Sequence, residues 1–196
     1  MSARRIIANI IVTIDGRITG PDGPADMMWV IPHSSTDEIR DHLADLTASA
    51  TTALLGSFNS EGYHAVWPMI GADPATHPKD KAFADWLTGV DKVVLSSTGT
   101  SSWPDARVRA GDTAAIVREL RGEPGGDILI LSSVSIMRAL LAAGEIDVLS
   151  IVYVPEILSG GRRLWETDLP RSSWRLADST VSSSGAIVAR YERVRD

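Results

Sequence analysis

The stretch Asp127-Ile128-Leu129-Ile130-Leu131-Ser132-Ser133-Val134-Ser135-Ile136 decides the reading of the fold. Its aliphatic run from Ile128 to Leu131 is too short for a helix and has no polar face. That predicts a strand covered on both sides. The serines that follow are favoured helix caps, with Ser133 or Ser135 in the capping place. Ile136, Leu140 and Leu141 then recur at helical spacing up to Gly144, a suitable C-terminal stop. A buried strand running straight into a helix start is the repeating unit of a parallel α/β sheet.

The same pattern recurs on either side. Apolar, β-branched segments at Arg5 to Ile14, Thr52 to Leu55, Lys92 to Ser96 and Val148 to Val154 read as further buried strands. Ser35-Thr36-Asp37-Glu38 has the form of a capping box, Ser35 capping and Glu38 reaching back. Ile39, Leu43 and Leu46 follow on one helical face. Lys79 to Leu87 is a second helix after Pro78. Asp112 opens a third, carrying Ile116, Val117 and Leu120. The C-terminus changes character: Trp174 to Val181, Ser182-Ser183-Ser184-Gly185, and Ala186 to Val194 read as a closing hairpin. The expected fold is therefore α/β, a mainly parallel central sheet flanked by helices with an antiparallel C-terminal hairpin. No repeat or linker divides it, so one domain over residues 1–196 is expected.

Composition narrows the function. The chain has 196 residues, 44% hydrophobic and 22% charged, which is the balance of a globular protein able to bury a core unaided. A net charge of −6 argues against non-specific nucleic-acid binding. Arg4-Arg5 reads as solvated surface. With no cysteine there is no disulfide, thiolate nucleophile or cysteine-ligated metal, and the four histidines lack metal-ligand spacing. The run Ile6 to Val12 is interrupted by Asn9 and has no cleavage site, so it is neither a leader nor long enough for a membrane span. A cytoplasmic location is expected. No G-x-S-x-G elbow, Walker loop or G-x-G-x-x-G fingerprint occurs.

Several strand ends carry chemistry-bearing residues. Asp15 in Ile14-Asp15-Gly16 stands where α/β sheets hold ligands, though Asp15-Gly16 serves equally as a turn. Leu54-Leu55-Gly56-Ser57-Phe58-Asn59 passes from strand to helix, where a glycine lets the backbone approach a ligand and free amides suit a phosphate. Ser132 to Ser135 adds hydroxyls to a second such junction; the alternative is an ordinary cap. Ser96-Ser97-Thr98 ends another strand, as a phosphate contact or a turn. Gly160-Gly161-Arg162-Arg163 is a tight loop with cations for an anionic ligand or a partner chain, or a plain surface loop.

Taken in order, these pieces resemble the dihydrofolate reductase-like domain at the C-terminal end of bifunctional riboflavin-biosynthesis deaminase-reductases. The resemblance rests on Ile10 to Ile18, Gly20-Pro21-Asp22-Gly23, Leu54-Leu55-Gly56, Trp67-Pro68 and Lys92 to Ser96. It continues through Glu123 to Leu131, Arg138 to Leu141, Ile146 to Val154 and Leu158 to Trp165. It implies a hydride-transferring reductase, with NADPH (or NADH) as donor and a small heterocyclic or carbonyl substrate, pterin-like or riboflavin-precursor-like. It implies a homodimer too, for which the apolar Val148 to Val154 strand is a candidate interface.

Under that resemblance, the cofactor contacts are Asn9, Gly56, Ser57, Phe58, Ser96, Ser97, Ser132, Ser133, Val134, Ser135 and Ile136. Asp15 and Glu38 are the candidate proton donors, with Asp37 and Asp41 behind them, and Asp26, Trp29 and Arg162 the candidate substrate contacts. Two departures stand out. Ser57 occupies a place usually held by arginine, and Ser132-Ser133 replaces a usual Gly-Gly. A lost charged hydrogen bond costs roughly 1.5–3 kcal/mol, and a positive φ suits serine poorly. The rival reading is a non-catalytic nucleotide- or ligand-binding homodimer that kept the fold. The zinc-deaminase half of the bifunctional enzymes has no counterpart here, since both cysteine and a His-x-Glu signature are missing.

Overall fold

The strands form where the aliphatic runs predict them. In a computed structural model describing residues 4–165 and 169–195, β1 is Ile6–Thr13, β2 Ala50–Gly56, β3 Asp91–Leu95, β4 Arg107–Arg109, β5 Asp127–Leu131 and β6 Val148–Val154. The hairpin is β7 Trp174–Val181 and β8 Ile187–Arg193. The helices are α1 Ile31–Ser34, α2 Asp37–Ser49, α3 Ser57–Ala72, α4 Pro78–Gly89, α5 Thr113–Gly122 and α6 Val134–Ala142. One sheet takes the order β4-β3-β2-β5-β1-β6-β8-β7. β1 to β6 pair in parallel, and only the hairpin strands run antiparallel.

Side-chain alternation gives the sheet two covered faces. On one face, Ile6, Ala8 and Ile10 of β1 pack with Val117 and Leu120 of α5 and Met137 and Leu140 of α6. On the other, Ile7 packs with Leu46 of α2 and Phe83 and Leu87 of α4. The period of two therefore turns Asn9 toward the α2 face.

Four expectations are corrected. Arg4 is 5% exposed, not solvated. Its guanidinium donates to the carbonyls of Leu120 and Gly126 and to the Thr52 hydroxyl, stitching the chain ahead of β1 to α5 and β2. Arg5 alone reaches solvent, paired with Asp127 at 2.6 Å. Ser35 does not cap α2: its N–H closes the preceding turn on the Ile31 carbonyl, and Thr36 takes the cap position without a side-chain cap bond. Ser133 holds the cap position of α6, yet its hydroxyl bonds elsewhere. The Val148 to Val154 strand cannot be an interface, because it lies between β1 and β8 and is buried; β7 is the exposed edge.

Two elements, α1 and β4, were not foreseen, and α3 extends well past the start expected at Ser57. β4 is three residues long and charged at both ends, the form of a protected edge. α3 runs for 16 residues across Pro68 with little periodicity. Among the described residues, no helix is long and apolar enough to cross a membrane.

Candidate functional site

A cavity of about 790 Å³ opens between the strand ends of β1 and β5 and the helices α1 to α4 and α6. That is ample for a small ligand. Its floor is built by register. Asn9 of β1 lies beside Ser150 of β6 in the parallel pairing. Above them, α2 turns Ile39, His42 and Leu46 inward. The Ser150 hydroxyl donates to Asn9 Oδ1 at 3.0 Å, and His42 Nε2 lies 2.7 Å from the same hydroxyl oxygen. Burial, with Arg190 nearby, pushes the His42 imidazole down to about 4, so it is neutral at neutral pH.

One wall is aromatic. Tyr63 and Trp67 of α3 stack with centroids 6.5 Å apart, and Trp67 meets Phe83 of α4 edge-on at 4.4 Å. Desolvation pushes the Tyr63 phenol up, and a hydrogen bond with Ser132 partly opposes this. The same wall carries one ion pair. Arg40 of α2 donates from Nε to both oxygens of Asp80 at 2.9 and 3.0 Å, and from Nη2 at 2.8 Å.

The opposite wall is formed by helix starts. Phe58 and Asn59 from α3, and Val134 and Ser135 from α6, line the cavity. Neither helix has a side-chain cap bond. Their first amides therefore keep donors available to an anion. Ser132 sits between β5 and α6 with φ of +52°, the left-handed region. Ser133 is buried. Its hydroxyl accepts from the Gly56 amide at 2.9 Å and donates to the Leu131 carbonyl at 3.2 Å, tying the two strand–helix junctions together.

Of the residues singled out from sequence, Asn9, Phe58, Ser132, Val134, Ser135 and Arg162 line this cavity. Gly56, Ser57, Ser133 and Ile136 belong to the two junctions without lining it. Ser96 is buried and bonds Thr98 at 3.0 Å, and Ser97 is exposed beside it, both apart from the cavity. Asp15 stands at the turn after β1, where the Thr13 hydroxyl holds its carboxyl below the usual range. Glu38 is half-buried and accepts from the Ser183 hydroxyl of the hairpin turn. Asp26 accepts the Asp22 amide and shapes the loop after β1. Trp29 donates to the Asp26 carbonyl and packs on Ile39, Val152 and Val154.

Sequence reading passed over His42, Ser150, Arg40, Asp80, Tyr63 and Trp67. For His42 a signal existed: it falls on the same inward helical face as Ile39 and Leu46. For Arg40 with Asp80, 40 residues apart in sequence, none did. Among the described residues, no cluster of His, Asp and Glu could hold a metal ion.

Comparison with known proteins agrees with this architecture. YyaP, an uncharacterized protein of Bacillus subtilis (strain 168), is 24% identical over 191 residues, which is 97% of this chain and 96% of that protein. A putative riboflavin biosynthesis protein from Shewanella sp. PV-4 superposes with a TM-score of 0.75 at 19% identity, covering 97% of this chain and 99% of the other. The Thermotoga maritima diaminohydroxyphosphoribosylaminopyrimidine deaminase/5-amino-6-(5-phosphoribosylamino)uracil reductase gives 0.66 at 13% identity, over 98% of this chain and 57% of that one. Dihydrofolate reductase from Enterococcus faecalis, complexed with NADP(H), gives 0.54 at 16% identity over 97% of each chain. These structures share the fold. Residues 4–188 match the RibD C-terminal domain, and the chain belongs to that family.

Proposed function

We propose that this protein is an NADPH-dependent reductase that acts on a small heterocyclic or carbonyl substrate. The observation that carries the reading is the pair of uncapped helix starts, α3 and α6, at the rim of one cavity. Family and fold support it, since reductases of the riboflavin pathway and dihydrofolate reductase share this architecture.

The residues present fit a dinucleotide. Neither helix start carries a side-chain cap bond, and the first amides of α3 and α6 would hold a pyrophosphate. Ser57 and Ser135 add hydroxyls but no charge, so NADH is a close competitor of NADPH. Bound there, a nicotinamide supplies hydride, two electrons with one hydrogen nucleus, and leaves oxidised. The aromatic wall of Tyr63, Trp67 and Phe83 excludes water and presents flat faces to a planar substrate. Asn9 and His42 offer polar atoms at the floor that orient it. In reduction of a carbonyl, the carbon gains hydride, the C=O π bond opens and the oxygen takes a proton. Asp15 and Glu38 lie outside the cavity, so in this reading water at the mouth delivers that proton. The homodimer belongs to the same reading, with the exposed β7 as its available edge.

Fluorescence titration with NADPH and NADH tests the proposal. Saturable binding, followed by nucleotide oxidation when a carbonyl substrate is added, is the expected result. Binding without oxidation across a panel of carbonyls and heterocycles would favour the non-catalytic alternative. If neither nucleotide binds up to millimolar concentration, the reductase reading is lost.

A further inference from the structure

The charges around the cavity are arranged so that almost none faces a ligand uncompensated. Among the described residues that line it, Asp80 supplies the only carboxylate, and Arg40 occupies both of its oxygens. His42 is held neutral by burial. Arg162, at the loop that pairs with the turn after β1, is the one lining cation without a carboxylate partner among the described residues. The mouth is apolar: Ile31 is 50% exposed, Phe58 59% and Val66 46%, and all three line the cavity with Met27. Side chains of this kind, gathered around one opening, mark a surface that an apolar ligand covers.

We infer that the cavity selects uncharged, planar, largely apolar carbonyl compounds of the quinone or cyclic enone class. A phosphoribosyl pyrimidine brings a dianionic phosphate into the site, and one arginine is thin compensation for burying it. A basic pteridine is bound best as its protonated form against a free carboxylate, and Asp80 is not free. An uncharged ring pays neither desolvation cost, stacks on Trp67 and Tyr63, and accepts a hydrogen bond through its carbonyl oxygen. The turnover part of this inference rests on the reductase reading. The binding part does not.

The test measures both separately on the full chain. Quenching of tryptophan fluorescence follows binding of menadione, dihydrofolate and 5-amino-6-(5-phosphoribosylamino)uracil without nucleotide, and NADPH oxidation is then measured with each. Menadione is expected to bind at least tenfold tighter than either charged compound and to be the preferred oxidant by the same factor in kcat/KM. Ile31→Glu and Val66→Glu, both at exposed positions, are each expected to weaken menadione about tenfold while thermal melting stays unchanged. Equal or tighter binding of a charged compound, no binding of menadione, or indifference to both substitutions overturns the inference. Menadione binding without NADPH oxidation sinks the reductase reading alone. Preferred reduction of the phosphoribosyl compound sinks the substrate class and leaves the reductase standing.

Discussion

Acid should destabilise this protein through His42, and the size of the effect follows from its surroundings. The imidazole is buried between α2 and the sheet, bonded to Ser150, with Arg190 raising the cost of a positive charge and Asp45 and Asp178 only partly offsetting it. Its pKa falls from the ordinary 6.5 to about 4. A base whose folded pKa is depressed binds protons more readily in the unfolded chain. The stability is thus intact above the unfolded value and is lost as pH falls from there toward the folded one. Linkage gives a loss of about 2 kcal/mol by about pH 5 and about 3 kcal/mol by about pH 4, after which it levels off. Urea denaturation from neutral pH down to about pH 4 measures this in the native chain and in His42→Gln, which keeps a donor for Ser150 without a titrating ring. The native chain should lose about 2–3 kcal/mol more than the variant over that range. Parallel curves for the two proteins, or an NMR titration of folded His42 centred near its ordinary value, would refute the reasoning.

Gly161 has a φ of +82°, and a Cβ added there would lie 2.0 Å from the Thr19 carbonyl oxygen; Gly161→Ala should therefore cost about 3 kcal/mol in denaturant unfolding, summing left-handed strain and a clash with backbone. At Ser132, with φ of +52°, Ser132→Gly should be about 1 kcal/mol more stable than Ser132→Ala by thermal melting, since both lose the hydroxyl and only alanine keeps the strain. Gly56 has room for a methyl group, 3.7 Å from Ser133 Oγ, so Gly56→Ala should leave stability within about 0.5 kcal/mol. The same substitution should weaken NADPH about tenfold in the fluorescence titration, because the bulk stands at the junction proposed to hold the pyrophosphate.

Much of the frame was legible because it rests on local pattern. The run Ile128 to Leu131 has no polar face, and it became a strand buried on both sides. The change to polar turn residues at Ser182 to Gly185 separated β7 from β8 as expected. What stayed hidden depends on distant partners. Arg4 and Arg5 are neighbours of the same charge, yet one finds carbonyls at the end of α5 and ahead of β5, while the other finds solvent and Asp127. No local rule separates them. Ser35 fits a capping box by spacing, but the turn before α2 claims its amide first. The site shows the same division. The strand–helix junctions were visible as Gly56-Ser57 and Ser132-Ser133, whereas the walls came from α2, α3 and α4, whose approach is set by packing against the sheet.

The two serines at the β5–α6 junction show how a departure from the family pattern can be absorbed. A Gly-Gly pair leaves the backbone free to take a left-handed turn and to approach a ligand closely. Here Ser132 accepts the strained conformation and lines the cavity together with Tyr63 of the aromatic wall. Ser133 points away from the cavity and bridges to the Gly56 amide, so both helix starts are fixed relative to each other. That bridge uses one amide donor at the β2 junction, while the amides that open α3 and α6 keep theirs. Ser57 brings no charge to the same junction. On the proposed reading, the consequence is a rigid, weakly charged anion site. It relies on backbone dipoles, next to a substrate space whose ion pair is already closed. Backbone donors without a cation hold a diphosphate less tightly than an arginine would. They also impose no positive field on the neighbouring cavity, which is the electrostatic setting an uncharged substrate requires.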